Sequence, residues 1–124
     1  MNPKIDFQLH EAFPDHRVTG RNCGADARVG AVFTALCRRT FSPDASAEEI
    51  VSPEAAFVSD ISLRLDAVEW YGRSIDHVPS GHTARLTLSG DGFELVSDAL
   101  VTAPDHTYYS LCIPDEPIPN SRNA

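Results

Sequence analysis

The sequence predicts an all-β domain, a small closed β-barrel of six to seven strands with one irregular or short-helical insertion. Apolar and polar residues alternate in short runs along the chain, which is typical of half-buried strands. Glycine, proline, asparagine and aspartate separate these runs and favour the backbone conformations of tight turns. Closure into a barrel is expected because it leaves no unpaired strand edge in a small domain.

Three strands are predicted in the first part of the chain. Lys4–Phe13 alternates apolar and polar residues, and Pro14-Asp15 ends this strand in a turn. His16–Arg21 is the next predicted strand, and it is followed by a tight reversal at Cys23–Asp26. Val29–Cys37 is a longer apolar run and is predicted to be the third strand.

The segment Ser42–Ser59 interrupts this pattern with prolines and acidic residues. Ser46 and Glu49 have the spacing of a capping box, so a helix could begin there. Pro53 would end that helix after one or two turns. We therefore predict a surface insertion at 42–59 with a short helix at most.

The second half of the chain returns to strand patterns. The alternation from Ile61 to Trp70 predicts one long strand. Ser89–Gly92 is predicted to be a turn, and Phe93–Val101 a strand or short connector. The remaining predicted elements are a turn at Asp76–Gly81 and strands at Thr83–Leu88, Ala99–Thr102 and Thr107–Ile113.

Length and composition fit one folded domain. A chain of 124 residues can bury about two thirds of its unfolded surface. We assign 1–113 to a single barrel domain and expect 114–124, which contains three prolines, to be a flexible tail. Because the sequence shows neither a signal-peptide pattern nor a membrane-spanning apolar run, we expect a cytoplasmic protein.

The net charge indicates which class of partner the chain binds. Ten Lys and Arg residues against eighteen Asp and Glu residues give a net charge of -8. This charge argues against a nucleic-acid partner, because affinity for phosphate backbones rests largely on Lys and Arg. We expect a protein partner and no membrane contact, and the sequence leaves a homo-oligomer open.

The spacing of cysteines and histidines predicts no metal site and no cofactor. Cys23, Cys37 and Cys112 contain no CxxC pair, and their odd number does not fit a disulfide framework. Cys37 and Cys112 lie in apolar runs and are expected in the core. The chain is therefore predicted not to be an enzyme. The alternative is a small hydrolase or transferase that uses a Cys23 nucleophile near His16 or another imidazole, or a histidine–carboxylate pair in the mouth of the barrel.

Several motifs resemble, in their order, domain 2 of translational GTPases of the elongation factor Tu type. Thr19-Gly20-Arg21 is followed by Arg28-Val29-Gly30 at the distance usual in that family. The likeness covers about Asp6 to Pro104, and it implies a barrel that docks other surfaces, such as the G domain, ribosomal RNA or the acceptor end of tRNA. The later motifs that resemble the family are Val68–Trp70, Pro79–His82, Ala84–Gly90 and Asp98–Val101.

The chain also departs from this family. Ala31 stands where the family prefers an acidic residue, and His82 stands where it prefers aspartate. The sequence has no G-x-x-x-x-G-K-[ST] loop to hold nucleotide phosphates, which excludes GTPase activity.

The candidate binding residues are aromatic or basic. Two pairs of aromatic residues are adjacent in predicted strands, Trp70-Tyr71 and Tyr108-Tyr109. The two rings of a pair point to opposite faces of the strand, so one is expected in the core and the other exposed. Exposed aromatic side chains are common anchors of protein interfaces. The candidate binding residues are Arg21, Arg28, Trp70, Tyr71, His82 and Tyr108.

The sequence thus predicts a non-catalytic, cytoplasmic binding module that acts through protein–protein contacts. One alternative is an RNA- or ribosome-associated accessory protein, which requires several arginines to converge on one face. These are Arg17, Arg21, Arg28 and Arg85. The other alternative is the Cys/His-dependent enzyme.

Overall fold

Nine strands and one helix make up the part of the chain that the computed structural model describes, residues 3–40 and 55–114. The elements are β1 Pro3–Phe13, β2 Arg17–Asn22, β3 Ala27–Arg28, β4 Val32–Thr40, β5 Ala56–Trp70, β6 Arg73–Ile75, β7 His77–Val78, β8 Thr83–Asp91, α1 Phe93–Thr102 and β9 Thr107–Pro114.

Six of the strands form a closed, barrel-like ring in which every pair of neighbours is antiparallel. The order around the ring is β4–β9–β1–β2–β8–β5, and β5 pairs again with β4. Strand β6 extends this sheet beyond β5, and β3 pairs with β7 in a separate two-stranded sheet. The all-β prediction is confirmed.

The ring encloses the main apolar core because successive side chains of a strand point to opposite faces. Large side chains from different strands are fully buried there, among them Phe7, Phe33, Leu63, Leu86 and Leu111. Cys37 and Cys112 are also fully buried, as predicted, but they belong to a second, smaller cluster of buried residues.

Different elements cover the two ends of the ring. Helix α1 packs against β1 and adds Phe93 and Val96 to the core. His16, in the turn between β1 and β2, stacks on Phe93 with ring centroids 4.5 Å apart. At the other end, β3 and β7 add Ala27 and Val78 to the same core. We call these two ends the helix end and the β3–β7 end.

The predicted strand or connector at Phe93–Val101 is wrong, because these residues form helix α1. Phe93 and Val96 are buried three residues apart, and Ala99 packs against the same core. This spacing is the helical repeat, which the β-prone valines and leucines concealed. The predicted strand Ala99–Thr102 is the C-terminal part of the same helix.

The predicted turn Ser89–Gly92 is also wrong, because β8 continues to Asp91, which pairs with Ser62 of β5. Gly90 has a φ of 124°, and a Cβ atom there would lie 2.0 Å from the Ser62 carbonyl oxygen. Glycine is therefore required for the close approach of β8 to β5 and not for a turn.

The predicted insertion at 42–59 extends too far toward the C-terminus. Strand β5 begins at Ala56, and its first residues pair with β4. The rest of the predicted insertion, up to residue 54, lies outside the described residues. So does the predicted tail from residue 115 onward.

Candidate binding site at the Trp70 rim

The turn between β5 and β6 presents an exposed tyrosine in an unfavourable backbone conformation. Trp70 pairs with Arg73, so Tyr71 and Gly72 form a two-residue hairpin turn. Tyr71 has a φ of 48° and Gly72 a φ of 76°, and the Tyr71 side chain is 84% exposed. A turn with two positive φ angles favours Asn-Gly or Gly-Gly. A left-handed conformation costs a residue such as tyrosine about 1–2 kcal/mol.

Trp70 lies at the centre of a small aromatic cluster beside this turn. Its ring meets Tyr71 edge to face with centroids 4.8 Å apart, and His82 in the same manner at 5.7 Å. The pairing of β5 with β8 brings His82 here, since Glu69 lies opposite Arg85 and the start of β8 therefore lies beside the end of β5. Such aromatic pairs are favourable by about 0.5–1.5 kcal/mol each.

Arg21 joins the cluster from β2. It pairs with Thr83 in the sheet, and its Nε–H donates to the Gly81 carbonyl oxygen at 3.3 Å. Arg21, Trp70, Tyr71 and His82 together form what we call the Trp70 rim. Four of the six residues predicted to bind therefore belong to this rim, and a fifth, Arg28, lies on β3 at the same end of the ring.

Two grooves adjoin the Trp70 rim, and Trp70 lines both. One has a volume of about 340 Å³ and is bordered by Thr19, Glu69, Tyr71 and Arg85, among others. The second has a volume of about 460 Å³. Besides Trp70, it is lined by Ile75, Asp76, His77, Pro79 and His82.

Asn22 holds the loop that carries His82. Its side chain is fully buried, and its Nδ2 group donates to the carbonyl oxygens of Ala25 and Val78, both at 2.9 Å. Its Oδ1 atom accepts from the Gly24 backbone N–H at 3.1 Å. The Asn22 main chain also bonds to the loop, donating to the His82 carbonyl at 2.9 Å. Sequence reasoning did not single out Asn22, although an asparagine before Cys-Gly is a common turn signal.

The carboxylates near the rim already have partners. Glu69 pairs with Arg85 at 3.3 Å, and the Asp26 carboxylate accepts from the Ser80 backbone N–H at 2.9 Å. Asp76 lies 2.7 Å from the His77 ring, and this hydrogen bond lowers the pKa of Asp76.

Three arginines near the rim have no side-chain partner of opposite charge among the described residues. Within residues 3–40 and 55–114, Arg21, Arg28 and Arg73 are exposed and make no ion pair. Arg28 lies on β3 opposite His77, which lines the larger groove. Arg73 lies opposite Trp70. At the β3–β7 end these three arginines lie near the carboxylates of Asp26 and Asp76, which form no ion pair with a Lys or Arg of the described residues.

Tyr108 is not part of the Trp70 rim. It lies on β9 opposite Arg39, toward the helix end of the ring, and is 42% exposed. Its neighbour Tyr109 is buried, as the alternation predicts.

Cys23 lacks the surroundings of an activated nucleophile. Its Sγ atom contacts Gln8 Oε1 at 3.9 Å and the Arg21 carbonyl at 3.8 Å. Burial, and then the charge of Asp6, raise the pKa of Cys23, so its thiol stays protonated at neutral pH. His16, the predicted activating base, lies at the other end of β2. The described residues contain no group of three or more His, Cys, Asp or Glu side chains that could hold a metal ion.

The buried cysteines lie beside an ion pair between buried Asp6 and partly exposed Arg39. Arg39 Nη1 and Asp6 Oδ2 are 2.6 Å apart, and Cys112 Sγ lies 3.8 Å from the other Asp6 oxygen. A hydrogen bond with the Cys37 thiol, and then burial, raise the pKa of Cys112. This cluster lies at the junction of β1, β4 and β9, where Asp6, Cys37 and Cys112 are buried and Arg39 is partly exposed.

Comparison with protein-family models, with curated proteins and with solved structures finds no match to this chain. Among the residues the structure describes, no helix combines the length and apolar character that a bilayer crossing needs. The structure supports an all-β, barrel-like domain, and the likeness to domain 2 of translational GTPases rests on the motifs alone.

Proposed function

We propose that the protein is a non-catalytic binding module that contacts another protein through the Trp70 rim. The observation that carries this proposal is Tyr71, whose ring is exposed at the tip of a hairpin in a backbone conformation that asparagine or glycine would adopt at less cost. Strained residues that persist in a fold are often found at functional positions. An exposed aromatic ring held in this way is suited to insert into a partner.

The composition of the rim supports the same function. Trp, Tyr and Arg are the residues enriched at the energetic centres of protein interfaces. Trp70 and Tyr71 contact each other here, and Arg21 lies opposite Thr83 at the start of β8. The two grooves beside Trp70 give the partner concave surfaces on which to pack. The motifs that resemble domain 2 of translational GTPases agree with a barrel that docks other surfaces, and we propose that it does so in the cytoplasm.

Site-specific photocrosslinking tests this proposal. A benzophenone amino acid is placed at position 71 and, as a matched control, at position 101. Tyr71 is 84% exposed and Val101 is 83% exposed, but Val101 lies on α1. We expect discrete protein adducts from position 71 alone. Excess unlabelled wild-type protein should remove these adducts, and excess Trp70→Ala protein should not. Equal adducts from both positions would contradict the proposal.

RNA association is the second candidate function, because the pairing of β2 with β8 places three of the four arginines that this alternative requires on one face. Arg17, Arg21 and Arg85 lie on the outer face of the paired strands β2 and β8, while Arg28 lies on the separate β3–β7 sheet. Arg17 is paired with Asp15, and Arg85 with Glu69, so much of the positive charge on this face is compensated. A gel-shift assay with single-stranded RNA tests it, and a salt-sensitive shift that Arg21→Gln weakens would favour it over protein binding.

A further inference from the structure

The distribution of charge over the ring points to the chemistry of the partner. Among the described residues, carboxylates gather at the helix end: Asp91 ends β8, and Glu94 and Asp98 lie on α1. The arginines without ion pairs include Arg73, which lies opposite Trp70, and Arg21, which lies opposite Thr83 at the β3–β7 end. The net charge of -8 therefore does not describe the β3–β7 end, where, besides the Glu69–Arg85 pair, Arg21, Arg28 and Arg73 outnumber the carboxylates of Asp26 and Asp76.

From this arrangement we propose that the Trp70 rim binds an extended, acidic, proline-containing peptide segment of its partner. This inference rests on the proposed protein-binding function and specifies the segment that is bound. Proline-rich segments adopt an extended helix before binding, and they commonly dock in grooves lined by aromatic side chains. Trp70, Pro79 and His82 line such a groove here, and its volume of about 460 Å³ suits a few side chains.

The arginines supply the preference for acidic residues. Arg73 lies opposite Trp70 at the hairpin turn, and Arg28 lies opposite His77 in the groove wall. Arg21 is oriented toward the 81–82 loop by its hydrogen bond to the Gly81 carbonyl, which leaves its other N–H groups free to donate. Guanidinium groups pair well with carboxylates because the two planar groups can form parallel hydrogen bonds.

A peptide fits the rim better than a nucleic acid does. Single-stranded nucleic acids are bound along continuous basic grooves that follow the backbone. Here the face beside the rim includes the Glu69–Arg85 pair, and the helix end is acidic. A short segment with two or three carboxylates meets the local positive charge without approaching the acidic end.

The single tryptophan of the chain is Trp70, so its fluorescence reports directly on this site. The probe is a ten-residue peptide of alternating proline and glutamate, and its control is the same peptide with glutamine for glutamate. We expect saturable quenching or a spectral shift with the glutamate peptide and binding at least about tenfold weaker with the glutamine peptide. The affinity for the glutamate peptide should fall between about 50 and 300 mM salt.

Arginine variants locate the contact. Arg21→Gln and Arg73→Gln should each weaken binding of the glutamate peptide by about five- to tenfold. Arg38→Gln is the matched control, because Arg38 is exposed on β4 and, within the described residues, makes no ion pair. This variant should bind as the wild type does.

Three results would overturn this inference: equal binding of the two peptides, equal effects of Arg38→Gln and Arg73→Gln, or a larger response to oligouridine than to the glutamate peptide. Photocrosslinking from position 71 distinguishes this failure from failure of the proposed function. Adducts that depend on Trp70, together with no response to the glutamate peptide, would leave the protein-binding function standing and remove only the acidic segment.

Discussion

Substitution of Asn22 should destabilise the protein strongly, although Asn22 is the last residue of β2 and lies next to a loop. Asn22→Ala removes three hydrogen bonds, those to the Ala25 and Val78 carbonyls and to the Gly24 N–H. Ala25 is exposed and its carbonyl can turn to water, whereas Val78 is fully buried. We count about 1 kcal/mol for each of the two bonds near the surface and about 1–2 kcal/mol for the buried bond to the Val78 carbonyl, which keeps its pairing with Ala27. The expected loss in the free energy of unfolding is therefore about 3–4 kcal/mol.

Urea denaturation followed by circular dichroism measures this loss. For a domain of this size we expect a fall in Tm of roughly 10–15 °C as well. Asn22→Asp should be at least as damaging, since a carboxylate oxygen would then face two carbonyl oxygens in place of the donating amide. Ser89→Ala, at an exposed position of β8, is the control and should change stability by less than about 0.5 kcal/mol. A loss below about 1 kcal/mol for Asn22→Ala would refute the reasoning.

The remaining predictions concern packing, pH and strain. Gly20→Ala should destabilise by more than about 2 kcal/mol in urea denaturation, because its Cβ would lie 2.1 Å from the Gln8 carbonyl oxygen; a neutral result would contradict the tight contact between β1 and β2. The pKa of Cys112 is raised in the folded protein, so folding favours the protonated thiol. This contribution to stability is complete below the pKa of the unfolded thiol, about 8.5, and is lost as the pH rises above that value. Under reducing conditions, wild-type stability should thus fall more steeply than that of Cys112→Ala from about pH 8 to pH 10, and parallel curves would refute this. Tyr71→Asn should leave stability unchanged or raise it by up to about 1 kcal/mol, and the unlabelled variant in excess should fail to remove the adducts formed from position 71; a loss above about 1 kcal/mol would show that Tyr71 is a structural residue.

The alternation of side chains was sufficient to predict most of the ring. Strands β2, β5 and β8 follow from local alternation, because each has one face on the core and one toward solvent. The sequence also predicts β1 and β9, although β9 is buried on both faces from Tyr109 to Cys112. Helix α1 was missed because its apolar residues are β-prone and no side-chain cap marks its start. The period of its buried residues, with Phe93 three positions before Val96, was the available signal.

Sequence patterns predict less of the candidate site than of the ring. Trp70, Tyr71 and His82 could each be selected as individual residues, but their proximity depends on the register of β5 against β8. That register is a non-local property set by packing of the whole ring, so single-sequence patterns do not determine it. Arg73 is placed opposite Trp70 by the separate pairing of β6 with β5, and sequence reasoning did not select that residue.

Isothermal titration calorimetry with the partner recovered by crosslinking is the most direct test of the central claim. The partner is purified and titrated with the wild type, Tyr71→Ala and Val101→Ala, two substitutions at almost equally exposed side chains on opposite ends of the ring. The account predicts that Tyr71→Ala raises Kd by at least about tenfold and that Val101→Ala leaves Kd within about twofold of the wild type. Unchanged affinity for Tyr71→Ala, or an equal loss for both variants, would contradict a binding function for the Trp70 rim.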